Sequence, residues 1–483
     1  MQHHRVLSAV LSILVLFFAT STVMADVKEH RLIEGPDKGQ FNTPSEVTKK
    51  CLECHPQEAE DFMKTQHWRW EQLHVINCEE VLFGKKTALT NFAITLKGNW
   101  EHCTSCHDGY GWEDETFNFK DKSKVDCIGC HDTTGTYEKS RKGFGMPVGF
   151  EKEKPPGETP VDLLKVARMV DKPTRKSCGR CHFGGCGAAR VKHGDLDPSF
   201  TSPDYEIDIH MAGDGQNFNC QKCHYPKGKH DIRGHYLAAT PEGVYQSGCL
   251  ECHSNSPHRL EILNTHYEAI ACQTCHIPTF ARKYAAKTDW DWSTDTRKKR
   301  WEATEGGRRV RVHGMGAFTY NKDIIPQYAW FNGCDDVYML GDKIDPSQIT
   351  KLNWPLGEKD DPKAKIFPFK VIHGVQIYDK KHNYLITPLI TEEAETSFGK
   401  NLDWNTAASK GMKINGLPYS GEYGFTDTVQ YWRVNHGVVP GDRALDCLEC
   451  HGHNGRMDWE NLGYAGDPWE IEGLCRSKPR FRK

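Results

Sequence analysis

CLECH at 51–55, CTSCH at 103–107, CIGCH at 127–131, CGRCH at 178–182, CQKCH at 220–224, CLECH at 249–253, CQTCH at 272–276 and CLECH at 447–451 are eight copies of one pentapeptide, Cys-x-x-Cys-His. In each, two thiols can bond to the vinyl groups of a haem and the histidine can become an axial ligand of its iron. The thiol pairs are Cys51 and Cys54, Cys103 and Cys106, Cys127 and Cys130, Cys178 and Cys181, Cys220 and Cys223, Cys249 and Cys252, Cys272 and Cys275, and Cys447 and Cys450. The histidines are His55, His107, His131, His182, His224, His253, His276 and His451. A zinc site needs no histidine behind every second cysteine. A thioredoxin-type pair would occur once, and a disulfide framework belongs to a much shorter secreted chain. The pattern therefore reads as covalent attachment of eight haem c groups.

Working outward, seven motifs fall within residues 51–276, and only 37% of the 483 residues are hydrophobic. Segments that short can scarcely bury themselves, so the porphyrins should form the core and the chain should wrap them. The expected fold is mainly α with much irregular loop and little sheet, organised around eight covalent haems. Residues 1–25 combine MQHHR, an apolar run from Val6 to Ala19 and the small-residue site Val23-Met24-Ala25. They read as a Sec signal peptide ending at Ala25, and the apolar run is short for a membrane span. Haem c is attached outside the cytoplasm, so a periplasmic protein follows. Residues 26–276 form a haem-dense N-terminal region. Residues 277–483 form a C-terminal region in which 277–446 carry no motif and should build a pocket. EKEKPPGETP (151–160) reads as a loop, and VDLLKVARMV (161–170) has helical spacing. The net charge of −3 gives no sign of nucleic-acid binding. The local excess of Arg297, Lys298, Lys299, Arg300, Arg308, Arg309 and Arg311 reads as a solvated face or as propionate partners, with an anion funnel as the alternative.

An iron that only relays electrons needs a second axial ligand. Of 25 histidines, eight lie in motifs and two (His3, His4) in the leader, leaving fifteen. His67, His193, His210, His230, His258, His266 and His436 stand out, because most lie just before or after a motif. His235, His313 and His373 are the substitutes.

The chain also resembles the octahaem tetrathionate reductase family of multihaem c-type cytochromes along most of its length. The matching stretches include EVTKKCLECH, HWRW, NWEHCTSCHDGYGW, VDCIGCHDTTGTYEK, CGRCHFGG, VKHGDLD, DGQNFNCQKCH, ACQTCHIP, FTYNKDIIPQYAWFNG, HGVQIYD, YWRVNHGVVP and LGYAGDP. The resemblance implies seven bis-histidine haems and one catalytic haem with a lysine on its distal side. By position the catalytic haem is that of Cys103, Cys106 and proximal His107. The lysine is Lys139, with Lys142 as a competitor. The resemblance also implies a lysine and an aspartate in the pocket, Lys322 and Asp195, and His313 is a further candidate from the residues themselves. Where similar proteins often carry a cysteine, this chain has Ala93.

A lysine amine can ligate only when neutral, so burial and metal binding must offset its ordinary pKa near 10.4. The reading is a periplasmic reductase passing electrons through bis-histidine haems to a lysine-ligated one that reduces tetrathionate, nitrite or hydroxylamine. Its partners would be that small inorganic substrate and an electron-donor cytochrome or quinol-linked donor, with no nucleic acid and no membrane span after leader cleavage. The alternative is a non-catalytic electron-transfer cytochrome, a shuttle or filament subunit, and a hydroxylamine oxidase is a third reading. Calcium near the site has no carboxylate loop of recognisable spacing to support it. Cys78, Cys186, Cys334 and Cys475 lie outside the motifs and read as disulfides or buried thiols, with Cys78 or Cys186 as candidates for sulfur chemistry.

Overall fold

Short helices carry the motifs, and their caps explain their length. The helix Pro44–Leu52 starts at Thr43, whose hydroxyl accepts from Glu46 N in a capping box with Pro44 at the first position, and it runs into the first motif. Asp126 caps Cys127–His131, Thr174 caps Arg175–His182, and Asp446 caps Cys447–Cys450. One turn suffices, because cysteines three apart on a helix share a face. The computed structural model describes residues 30–36, 39–91, 94–154, 156–183, 194–228, 230–232, 248–294, 300–304, 307–390 and 395–471. The leader at 1–25, Ala93, Cys186, His193, His235, Arg297, Lys298, Lys299 and Cys475 lie outside the described residues.

The strands are β1 (Gln72–Ile76) and β2 (Glu79–Phe83), a small ladder of β3 (Pro226–Lys227) and β4 (Asp231–Ile232), then β5 (Ala286–Asp291), β6 (Arg300–Thr304), β7 (Gly307–Val312), β8 (Gly316–Asn321), β9 (Gln327–Phe331), β10 (Asp335–Val337), β11 (Thr350–Pro355), β12 (Lys365–Asp379), β13 (Tyr384–Leu385) and β14 (Tyr423–Arg433). All but β3 and β4 form one twelve-stranded mixed sheet. Its order is β2-β1-β10-β11-β14-β12-β5-β8-β7-β6, with β9 and β13 also pairing with β12. The spine is the antiparallel β12–β14 pair, running from Phe369↔Arg433 to Asp379↔Tyr423.

This sheet corrects the expectation of a mainly α chain with little sheet. The motif-free segment has no porphyrin to bury, so it closes a core of its own. Its central strand is covered on both faces: Ile366 to Ile372 are all buried. That removes the polar–apolar alternation by which a strand shows itself in sequence. The core holds Trp290 stacked on Trp292 at 4.9 Å and Phe398 stacked on Trp404 at 3.7 Å. The helix Trp404–Ile414 lies so close that a Cβ on Gly411 would meet Thr387 O at 1.9 Å. Only glycine permits that approach.

The sheet positions the motifs in three ways. Ile270 bridges to Ile366 of β12, and Thr274 Oγ1 donates to Ile366 O at 2.8 Å, which docks the seventh motif. β14 ends three residues before His436. The β1–β2 turn is tied to the start of β10 by the Cys78–Cys334 disulfide, across 256 residues of sequence, with Asn77 N donating to Asp335 O at 2.6 Å. That bridge removes Cys78 from sulfur chemistry. Among the described residues no helix is long and apolar enough to cross a membrane.

Candidate haem chain and its exceptional member

Seven motif histidines each face one other imidazole at nearly the same separation. The pairs are His55 with His30 (5.9 Å between ring centroids), His131 with His230 (6.3 Å), His182 with His67 (6.2 Å), His224 with His436 (6.0 Å), His253 with His210 (6.1 Å), His276 with His258 (6.0 Å) and His451 with His266 (6.3 Å). With a metal–nitrogen bond of about 2.0 Å and a ring radius of about 1.1 Å, imidazoles on opposite faces of one metal have centroids about 6 Å apart. Among the described residues no group of three or more His, Cys, Asp or Glu is arranged to hold a bare ion. Paired imidazoles beside free thiols suit a metal whose equatorial positions a macrocycle fills. The residues fit haem c.

The ring nitrogens support this. His436 Nδ1 donates to Asp195 Oδ2 at 3.0 Å, His451 Nδ1 to Asp467 Oδ1 at 2.7 Å, and His131 Nδ1 to Asp171 O at 2.9 Å. Each bond fixes the ring and leaves Nε2 for a metal. Six of the seven non-motif partners are histidines singled out from sequence. The seventh is His30, which sequence reasoning missed. His30 lies 21 residues ahead of the first cysteine. Nothing in its local sequence set it apart.

Thiols of different motifs also meet, which orders the chain of sites. Cys51 reaches Cys127, Cys106 reaches Cys181, and Cys178 reaches Cys220 at hydrogen-bond distance. Cys223 with Cys252, and Cys275 with Cys450, lie close enough for their charges to interact. His276 feels His253 and His210. The second, fourth, fifth, sixth, seventh and eighth motifs thus follow one another around a continuous cavity of about 2360 Å³. The third joins through Cys130 beside Cys181, and the first joins the third.

The second motif departs from the pattern. Among the described residues His107 faces no imidazole. Its ring is fully buried in a box of Trp68, Trp70, Trp112, Phe117 and Phe119, with centroids 4.8 to 6.2 Å away. Its Nε2–H donates to Trp68 O at 2.7 Å, and burial pushes its pKa down to about 3, so the ring is neutral. Cys106 lines the cavity and His107 does not. The sequence places His107 as the proximal ligand of this motif; here its Nε2 meets a backbone carbonyl inside an apolar box.

Lys139 stands there instead. It lines the cavity, its side chain is 10% exposed, and Nζ lies 3.2 Å from Asp126 Oδ2 while donating to the backbone carbonyl of His107. Lys142 is exposed and does not line the cavity. Burial alone would lower the Lys139 pKa, but Asp126 and Asp108 outweigh it and raise the value. Asp126 is held by Tyr110 and Tyr137 hydroxyls at 2.8 and 2.6 Å. Burial, reinforced by Asp126, pushes the Asp108 carboxyl up to about 7. Asp108 and Asp126 were also missed, although each flanks a motif (CHD at 106–108, VDC at 125–127).

The remaining candidates are not brought to this site. Lys322 and His313 are exposed at the two ends of β8, and neither lines the cavity. Turns that reverse the sheet carry them outward. Asp195 lines the cavity but is committed to His436 Nδ1, Asn435 N and His436 N. It orients an imidazole of the fifth motif rather than serving the second. His373 is exposed on β12 and pairs with no motif histidine among the described residues.

Seven imidazole pairs, each beside a Cys-x-x-Cys and five of them lining one cavity, define a multihaem c-type cytochrome. Residues 287–454 match the family described as bacterial cytochrome c. The whole fold is similar to the crystal structure of an octahaem cytochrome c from Shewanella oneidensis, at 45% sequence identity and a TM-score of 0.82, covering 91% of this chain and 98% of that one. No curated protein matches the chain. The chain belongs to the octahaem c-type cytochromes, and it binds haem c covalently.

Proposed function

We propose that this protein is a periplasmic reductase. Eight haems sit one per motif, and seven, held between imidazole pairs, pass electrons to the eighth at Cys103 and Cys106. The observation that carries this is the asymmetry of the second motif: its histidine is caged among indoles and phenyl rings while Lys139 stands at the cavity. Bound there, haem supplies electrons, and a coordination position once one face lacks a protein ligand.

The chain's own residues do the rest. Lys139 can ligate only as the free amine, and its proton has a taker beside it in Asp108, whose raised pKa lets it hold a proton near neutrality. Tyr110 and Tyr137 donate to Asp126 and hold its carboxyl in place beside the lysine. Arg180, bound to Asp132 and to the backbone at Gly129, ties the third and fourth motifs together next to the pocket. The cavity wall near the second motif also carries Lys85, His102 and Arg141. That basic lining suits a small oxyanion such as nitrite or tetrathionate; hydroxylamine, uncharged near neutrality, would rely on the open coordination position alone. A quinol-linked or soluble cytochrome would supply the electrons.

The test is ferric EPR and optical titration with nitrite, hydroxylamine and tetrathionate. One haem of the eight should respond. If all eight stay low-spin and inert, the protein is an electron carrier and the reductase reading fails.

A further inference from the structure

The seven imidazole pairs share one geometry, yet their ring nitrogens do not share one environment. His131 Nδ1 donates to an uncharged backbone carbonyl at Asp171. At His210 the nearest carboxylate, Asp208, is 4.0 Å away, beyond hydrogen-bond reach. Two motifs differ. His451 Nδ1 donates to the Asp467 carboxylate at 2.7 Å, and His436 Nδ1 donates to Asp195 at 3.0 Å.

A carboxylate on Nδ1 makes an imidazole more basic and more electron-donating at Nε2. That favours the ferric over the ferrous state, so the reduction potential falls. The two carboxylates are not equal. Oδ2 of Asp195 is shared among three donors, His436 Nδ1, Asn435 N and His436 N, and the buried Lys370 interacts with its charge. Asp467 makes the shorter bond; among the described residues its Oδ1 is shared only with Trp469 N at 2.9 Å, and its other oxygen takes Gly452 N at 2.6 Å, which holds the carboxylate in place. Its side chain is 7% exposed, so little water screens it.

We infer that Asp467 is a positioning residue that makes the haem of the eighth motif the lowest in potential of the chain, with Asp195 doing the same more weakly at the fifth. This rests on the proposed axial roles of His451 and His266. It also gives the chain a direction. The eighth motif is one end of the order of neighbours, the one farthest from the second, and lies next to the seventh through Cys275 and Cys450. It lies open to a partner: Cys447 is exposed and Leu448 is 71% exposed. Electrons delivered at that surface run downhill towards Lys139.

The experiment is an EPR-monitored redox titration of the fully loaded Asp467→Asn and Asp467→Glu proteins beside the wild type, with His266→Ala as a control. In Asp467→Asn the signal that His266→Ala abolishes should stay low-spin and titrate at a higher potential, the other seven staying where they were. Asp467→Glu should restore most of the shift. An intact signal whose potential does not move in Asp467→Asn, or a wild-type titration in which that haem is not the lowest, overturns the inference. A His266→Ala protein with an unaltered spectrum would instead sink the axial assignment on which it rests.

Discussion

The ligand census can be read from spectra, because the angle between two axial imidazole planes sets how far the iron dπ orbitals split. Near-parallel planes split them strongly and give rhombic low-spin spectra. Near-perpendicular planes leave them almost degenerate and push the largest g value up. His258–His276 at 13° and His224–His436 at 26° should give the two rhombic signals. His67–His182 at 74°, His210–His253 at 70° and His131–His230 at 69° should give three strongly anisotropic ones. His30–His55 at 36° and His266–His451 at 45° should fall between. The informative perturbation is His30→Ala, which removes the partner of His55 and touches no other pair. Spin quantitation against total haem should give seven bis-imidazole irons in the wild type and six in the variant. The lost intensity should come from the intermediate class and reappear as high-spin signal. Eight bis-imidazole irons in the wild type, or seven persisting in His30→Ala, would refute both the pairing and the exception at the second motif.

Three further outcomes follow from the same geometry. Lys139→Met should leave all eight haems attached but change the spectrum of the one at Cys103 and Cys106, and thermal melts should show a loss of about 3 kcal/mol or more, because Asp126 stays buried without its cation. Cys78→Ser with Cys334→Ser opens a loop spanning 256 residues; loop-closure entropy sets an upper bound of about 5 kcal/mol on the loss, and faster proteolysis of the β1–β2 hairpin should accompany it. Burial pushes Lys370 down from 10.5 to about 7, against the opposing pull of Asp195. Between those values the unfolded chain binds more protons than the folded one, so stability rises with pH across that window. Lys370→Met should therefore gain a few kcal/mol below about pH 7, and the gain should fade towards pH 10 in denaturant titrations; a gain that does not vary with pH would contradict the burial of that amine.

What the sequence determined by itself was the covalent chemistry. Cysteines three apart with a histidine behind them must present both thiols on one helical turn, and that constraint is local, so eight attachment sites could be read from eight pentapeptides. Six of the seven partner histidines were legible because they stand near motifs. His30 and the burial of His107 were not: which imidazole crosses a cavity to which motif, and whether a ring faces that cavity or an aromatic box, depends on contacts between Trp68, Trp112 and Phe117 that no spacing rule encodes. The sheet was hidden for a related reason. A strand such as β12, covered on both faces, loses its alternation, and its partners β5, β9 and β14 are chosen by packing across many residues. The tertiary structure alone decided that Lys139 and not Lys142 meets the cavity, since they stand three residues apart and burial against Asp126 separates them.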